Sequence, residues 1–328
     1  MSDNFNRVLV TGGAGFIGSH VIERLLSQGR EVACLDIFND FYDPAMKYIN
    51  IMPFKGNPSF HLFVENIQNP FMVESVFKEF KPQAVIHLAA MAGVRPSMDN
   101  PALYASTNVE GLVNVLEAAV KNDVKRFLFA SSSSVYGNSC MVPFCENDPA
   151  IGNPVSPYAA TKLAGELMCK TYRHLYGLPV TSLRFFTVYG PRQRPDLAIS
   201  KFLHNVSQGL PIKIFGEGTT SRDYTYVSDV VDGIMAALGN GCDQSVLNLG
   251  SGNPVSLNNL ILTIEKVTGH KAILEHEGMQ PGDVDRTFAD LKLSKATLGF
   301  LPRVGITEGI QRQWDWVQLE RARGIEPL

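Results

Sequence analysis

The stretch VLVTGGAGFIGSH, residues 8–20, limits what this 328-residue chain can fold into more than any other segment. Apolar β-formers run to Thr11. Gly12, Gly13, Gly15 and Gly18 then arrive as the pattern changes to helical spacing. Glycines in those places permit a tight turn and the close approach of backbone to a pyrophosphate, and they open a helix whose first amides favour an anion. A second apolar run, EVACLD, ends in Asp36, which is placed to accept from an adenosine ribose 2′-hydroxyl. A carboxylate there repels a 2′-phosphate, and DIFND brings no arginine beside it, so NAD is expected over NADP. Gly12, Gly15, Phe16, Ile17, Gly18 and Asp36 are the first cofactor contacts.

Strand and helix patterns continue to alternate through AVIHLAA, NVEGLVNVLEAAVKN and RFLFASSSS, which predicts a parallel sheet with crossover helices on both faces. The fold expected is α/β: a doubly wound parallel sheet of Rossmann type with a smaller, interleaved C-terminal substrate-binding domain. Gly29 is expected just past the end of the first helix, and Asn122 past the end of a later one. In SPYAATKLAGELMCKTYRHLYG, Ser156 reads as an N-cap, Pro157 as the first helical residue and Gly177 as the stop. Beyond about residue 190, GPRQRPDL, FGEGTTSRD, LGSGNP and MQPGD punctuate a loop-built region. The boundaries expected are 1–185 for cofactor, with a later return at about 225–240, and 186–328 mainly for substrate.

Bulk properties narrow the partners. A formal charge of −3 and the lack of a basic run give no footprint for nucleic acid or an anionic membrane. No apolar stretch is long enough to span a bilayer, and MSDNFNRVLVTGG does not read as a signal peptide. Five scattered cysteines without a CxxC pair read as reduced thiols in the cytoplasm. Cys140 and Cys145 lack a histidine nearby and read as loop or core residues. No histidine spacing suggests a metal.

Tyr158 and Lys162, four residues apart, emerge on one helical face. A neighbouring ammonium and an oxidised nicotinamide would lower the phenol's pKa, letting Tyr158 take a proton from a substrate alcohol while hydride leaves the same carbon. Lys162 is also expected to hold the nicotinamide ribose. These residues together resemble the short-chain dehydrogenase/reductase superfamily. TGGAGFIG, Asp36, HLAA, SSSSVYG, YAATK and SRDYTYVSD are similar to its extended branch of nucleotide-sugar epimerases and dehydratases over nearly the whole chain.

The resemblance implies a catalytic Ser132 beside Tyr158, stabilising charge on the reacting oxygen. It also implies cofactor contacts at Asn66, Ile67, Leu88, Ala89, Ala90, Asn108 and Phe186. Dehydratases of the branch carry an Asp-Glu pair before VYG and decarboxylases a glutamate; Ser133 and Ser134 stand here, which favours epimerisation at C4 through a 4-keto sugar. The stretch LRFFTVYGPRQRPDLA is similar to UDP-glucuronate 4-epimerases, with Thr187 where hexose epimerases usually have asparagine. Ser133, Ser134 and Thr187 offer hydroxyls to a C6 carboxylate, with Arg95, Arg192 and Arg194 as further anion partners.

Holding that carboxylate out of line with the C4 carbonyl would protect a β-keto acid from losing CO2. The same hydroxyls would also serve a strand end by satisfying backbone groups. Arg222 matches the diphosphate-binding arginine, the other reading being a surface pair with Asp223. Asp283 matches a nucleotide-ribose partner, while Gln280 stands where some hexose epimerases have a second diphosphate arginine. The resemblance implies a homodimer through helices near 107–121 and 157–175. Rival readings are a UDP-glucose or UDP-N-acetylglucosamine 4-epimerase, a UDP-glucuronate decarboxylase, and a non-catalytic dinucleotide sensor.

Overall fold

The computed structural model describes residues 5–149, 151–239, 244–278 and 284–327. Seven parallel strands form the main sheet: β1 (Arg7–Thr11), β2 (Glu31–Asp36), β3 (Phe60–Val64), β4 (Ala84–His87), β5 (Arg126–Ser132), β6 (Val180–Phe185) and, after three short strands elsewhere, β10 (Val246–Leu249). Their spatial order is β10-β6-β5-β4-β1-β2-β3. The sheet is Rossmann-type, as expected. The order reverses between β1 and β4, which opens a crevice beyond their carboxyl ends, where ligands bind in such sheets.

Both faces of the sheet are covered, so consecutive residues of a strand enter different cores. Val8 and Val10 pack with the helices Phe16–Ser27 and Val227–Gly239, whereas Leu9 packs on the other face with Val73, Leu116 and Cys169. β10 adds a late segment to the edge of the early sheet through parallel pairing of Val246–Leu249 with Ser182–Phe185.

β7 (Thr187–Tyr189), β9 (Ser221–Tyr226) and β11 (Pro254–Ser256) make a three-stranded sheet, and β8 (Pro211–Phe215) pairs with β12 (Ile273–Glu277). Gly29 has φ +73°, as a residue just past a helix requires. Asn122 differs from expectation. It keeps φ −105° as the cap of the helix Gly111–Lys121, and Asp123 takes the left-handed conformation at φ +55°.

Candidate active site

A cavity of about 1180 Å³ runs from the glycine loop, across the ends of β1, β4 and β5, to β8 and β9. Gly12 shows why the loop needs glycine: φ is +67°, and a Cβ would lie 2.7 Å from the Ala89 amide nitrogen. A Cβ on Gly18 would stand 2.3 Å from the Gly12 carbonyl oxygen. The helix Phe16–Ser27 begins at Gly15 without a side-chain cap, and Gly15, Phe16, Ile17 and Gly18 line the cavity. These first-turn amides and the bare loop fit a pyrophosphate.

Asp36 lies at the expected end of β2 and is only 6% exposed. Its Oδ2 accepts from the Ala14 amide at 3.2 Å and its Oδ1 from the Phe38 amide at 3.0 Å. It also has a cationic partner that the sequence did not announce. Lys47 Nζ, from the helix Pro44–Ile51, donates to Asp36 Oδ1 at 3.1 Å and to Asn39 Oδ1 at 3.0 Å.

Asn66, Ile67, Leu88, Ala89, Ala90 and Phe186 all line the cavity. Asn108 departs from expectation: it is 3% exposed and lies behind the cavity wall. Its Oδ1 accepts from the Met91 amide at 2.7 Å, while its Nδ2 donates to the Met91 carbonyl at 2.9 Å and to Thr161 Oγ1 at 3.0 Å. With its amide engaged in this way, Asn108 ties the turn after β4 to the helix Pro157–Tyr176.

That helix starts as its sequence requires. Ser156 Oγ accepts from the Ala159 amide at 3.1 Å, Pro157 fills the first position and Gly177 ends it at φ +67°. Tyr158 thus sits in the first turn, its own amide donating to Ser97 Oγ at 3.1 Å. The phenol faces the Ser132 side chain, whose influence lowers its pKa. Ser132 Oγ in turn accepts from the Ser134 amide at 3.2 Å and lies 3.0 Å from Ser134 Oγ.

Burial raises the Tyr158 pKa above its ordinary value, outweighing Ser132 and the Arg194 charge, which lower it. Arg194 thus adds a second cation to the neighbouring ammonium that the sequence suggested. Lys162 Nζ donates to the Ala130 carbonyl at 2.7 Å and lies 5.9 Å from the centre of the Tyr158 ring. Burial pulls its pKa down to about 8, against the opposing influence of Cys169 and Glu166.

Ser133, Ser134, Thr187, Arg95, Arg194 and Arg222 line the same cavity. Arg95 rests 4.5 Å over the Phe215 ring. Arg194 forms a bidentate pair with Asp196 at 2.8 and 2.6 Å and stands 5.0 Å over the Phe41 ring. Arg192 does not join them. At φ +64° its side chain turns to the helix Phe16–Ser27 and pairs with Glu23 at 2.9 Å, outside the cavity.

Arg222 Nη1 donates to the Ser221 carbonyl at 3.0 Å, and Asp223 is used elsewhere. Buried Asp223 accepts from the Ser251, Gly252 and Ala289 amides, which excludes the surface pair as the reason for Arg222. Asp283, Gln280 and Cys242 lie outside the described residues. Lys47 and Phe215 are lining residues that sequence reasoning missed. No local pattern marks either one.

A family model, NAD dependent epimerase/dehydratase, matches residues 8–250. The chain belongs to this epimerase/dehydratase family. Among relatives, a UDP-glucuronate 4-epimerase of Thermodesulfobacterium geofontis is 42% identical over 94% of this chain and 95% of its own length. A UDP-glucuronic acid 4-epimerase of Bacillus cereus, crystallised with UDP-glucuronic acid and NAD, superposes with TM-score 0.89 at 33% identity over 95% of this chain and 99% of its own. A UDP-glucose 4-epimerase of Thermotoga maritima superposes at 0.88, also 33% identical, over 96% of this chain and 99% of its own. The glycine loop, Asp36 and the helix bearing Tyr158 and Lys162 all fall within the matched family region. Among the described residues no helix is long and apolar enough to cross a membrane, and no group of three His, Cys, Asp or Glu could hold a metal ion.

Proposed function

We propose that the protein is an NAD-dependent 4-epimerase of UDP-glucuronate, forming UDP-galacturonate. The observation that carries this reading is the composition of one end of the cavity. Ser132 and Arg194 both act on Tyr158 there, Ser134 is bonded to Ser132, and Ser133 and Thr187 line the same cavity, so the polar groups are neutral hydroxyls and a cation. The two positions after Ser132 are serines, so the strand end carries no acid for elimination or decarboxylation.

NAD bound along the glycine loop supplies reversible hydride acceptance. The positive charge of an oxidised nicotinamide, added to Lys162 and Arg194, would offset the burial that raises the Tyr158 pKa. The phenolate then takes the proton of the C4 hydroxyl and returns it, while Ser132 donates to the same oxygen as charge develops. Lys162, anchored on the Ala130 carbonyl, presents positive charge and orients the nicotinamide ribose. Ser133, Ser134 and Thr187 bind the C6 carboxylate and turn it away from the C4 carbonyl π system, which keeps CO2 on the sugar. Arg222 neutralises the diphosphate, and Arg95, lining the same cavity, is a further anion partner. We assign cofactor binding to residues 1–185 with the return at about 225–240, and the sugar nucleotide mainly to 186–328. The family resemblance and exposed Leu167, Leu175 and Tyr176 on the helix Pro157–Tyr176 support a homodimer, which light scattering tests. The free thiols Cys34, Cys140, Cys145 and Cys169 suit the cytoplasm.

The test is incubation with UDP-glucuronate, with UDP-glucose and UDP-N-acetylglucosamine in parallel, followed by chromatography and proton NMR. UDP-galacturonate without a UDP-pentose is the expected product. Turnover of only the neutral sugars would refute the carboxylate role of Ser133, Ser134 and Thr187, and a UDP-pentose as main product would refute the argument from the absent acid.

A further inference from the structure

Behind the Ser132, Tyr158 and Lys162 cluster lies a buried ionic network that none of the roles above uses. Glu166 follows Lys162 by one helical turn and is 7% exposed; Arg184 on β6 is 3% exposed. Arg184 donates through Nε to Glu166 Oε1 at 2.8 Å and through Nη2 to Oε2 at 2.7 Å. Ser131, the residue before Ser132, donates its hydroxyl to Glu166 Oε1 at 2.5 Å.

The remaining arm of the guanidinium points away from the helix. Arg184 Nη1 donates to the Tyr136 hydroxyl at 3.0 Å and to the Glu146 carbonyl at 3.3 Å. The Tyr136 hydroxyl donates to Asn248 Oδ1 at 2.7 Å, and Asn248 Nδ2 donates to the Phe144 carbonyl at 2.9 Å and the Asp290 carbonyl at 3.2 Å. The chain of bonds therefore runs from the helix carrying Tyr158 and Lys162, past both ends of the serine segment, to the segments at 144–146 and 290.

A buried ion pair gains little stability over apolar residues of the same volume, because desolvation offsets the attraction. What a guanidinium fork matched to a carboxylate does supply is direction. Here that direction fixes β5, β6 and the helix against one another at the strand end bearing Ser132. We propose that Glu166 and Arg184 are positioning residues. They hold the Ser131–Ser132 strand end in register with Tyr158 and Lys162, and through Tyr136 and Asn248 they tie that register to the segments at 144–146 and 290.

The kinetic part of the test rests on the epimerase reading; the structural part does not. Two variants separate positioning from stability. Ser131→Ala cuts only the tie between strand and pair, and the double variant Glu166→Leu/Arg184→Met removes both charges together so that neither is left buried alone.

In Ser131→Ala, kcat for whichever UDP-sugar the wild type epimerises is expected to fall about tenfold or more, with KM within about threefold, since displacements on the order of 1 Å cost up to about 100-fold. Backbone amide exchange of the NAD-loaded protein, read by mass spectrometry, should quicken at residues 130–136 and stay unchanged at β1–β3. The double variant should lose about 10- to 100-fold in kcat while unfolding in one cooperative transition. Unchanged exchange at 130–136, or an unchanged kcat, in Ser131→Ala overturns the proposal. If the wild type epimerises no UDP-sugar, the reaction assignment fails while the exchange comparison still decides the positioning role. If the double variant does not fold, Ser131→Ala decides alone.

Discussion

His87 provides the sharpest test of the electrostatics beneath the site. It ends β4, is 1% exposed, and places Nδ1 2.9 Å from Thr11 Oγ1 and its ring 6.1 Å from that of Phe129. Burial first, and the Lys162 charge second, pull its pKa from 6.5 to about 3. Above pH 6.5 the imidazole is neutral in both the folded and the unfolded chain, and its contribution is flat. As pH falls from 6.5 towards 3, the unfolded chain binds a proton that the folded one refuses, so stability declines by about 1.4 kcal/mol per pH unit.

Between about pH 7.5 and about pH 5 this one group removes about 2 kcal/mol. His20, half-buried at the Pro191 carbonyl and lowered to about 4, loses stability over the same window in the same sense. His87→Gln keeps a polar partner for Thr11 and cannot titrate. Urea unfolding followed by the fluorescence of Trp314 and Trp316, with saturating NAD throughout to hold binding linkage constant, gives the stability of each protein at both pH values. The variant should lose about 2 kcal/mol less than the wild type on acidification, whatever its stability at about pH 7.5. Equal losses, within about 0.5 kcal/mol, would show that His87 takes up its proton in the folded state and that the neutral imidazole is wrong.

Other changes have equally definite expectations. Tyr158→Phe should lower kcat by about 100- to 10,000-fold and leave the NAD content of the purified protein unchanged, as measured by release on denaturation. Because the Lys162 pKa is lowered to about 8, its ammonium is present below that pH and lost above it; turnover should fall as pH rises through about 8, and Lys162→Arg should lack that alkaline limb in a pH series. Gly165→Ala, which would help an exposed helix, should instead cost about 1–3 kcal/mol by calorimetry. The reason is that the new Cβ would stand 2.4 Å from Cζ of Phe129, which is itself buried. Arg222→Leu should raise KM for the UDP-sugar about tenfold, while Arg192→Leu, altering a side chain outside the cavity, should leave KM within about twofold in the same assay.

The chemistry of this chain was legible where it is written in short-range spacing. Glycine loop, Asp36, Ser132 and the pair Tyr158 and Lys162 each lie at the end of a strand or in the first turns of a helix, and the Ser156 cap with Pro157 sets the phase of that helix. A four-residue spacing on one helix can have only one consequence for direction. The strand β3, by contrast, is half exposed at the sheet edge and shows no clean alternation, and β12 is exposed along its whole length, so neither left a periodic signature.

The two arginines of GPRQRPDL show where such reading stops. Arg192 and Arg194 are two residues apart and chemically identical, and the sequence offers both to the same anion. One left-handed residue at φ +64° separates their fates, sending Arg192 to Glu23 and leaving Arg194 between Asp196 and the Phe41 ring. That backbone turn is itself held from afar. Gln313 on the C-terminal helix accepts from the Gly190 amide at 3.0 Å and donates to Gln193 Oε1 at 3.0 Å, across more than a hundred residues of sequence. Lys47 on Asp36 and Asn108 on Met91 follow the same logic at shorter range. The groups proposed to exchange protons with the sugar are fixed by local spacing, whereas Arg192 and Arg194, offered to its anionic substituents, are aimed by contacts between distant segments. On the proposed reading, a change of substrate therefore needs no change in Ser132, Tyr158 and Lys162.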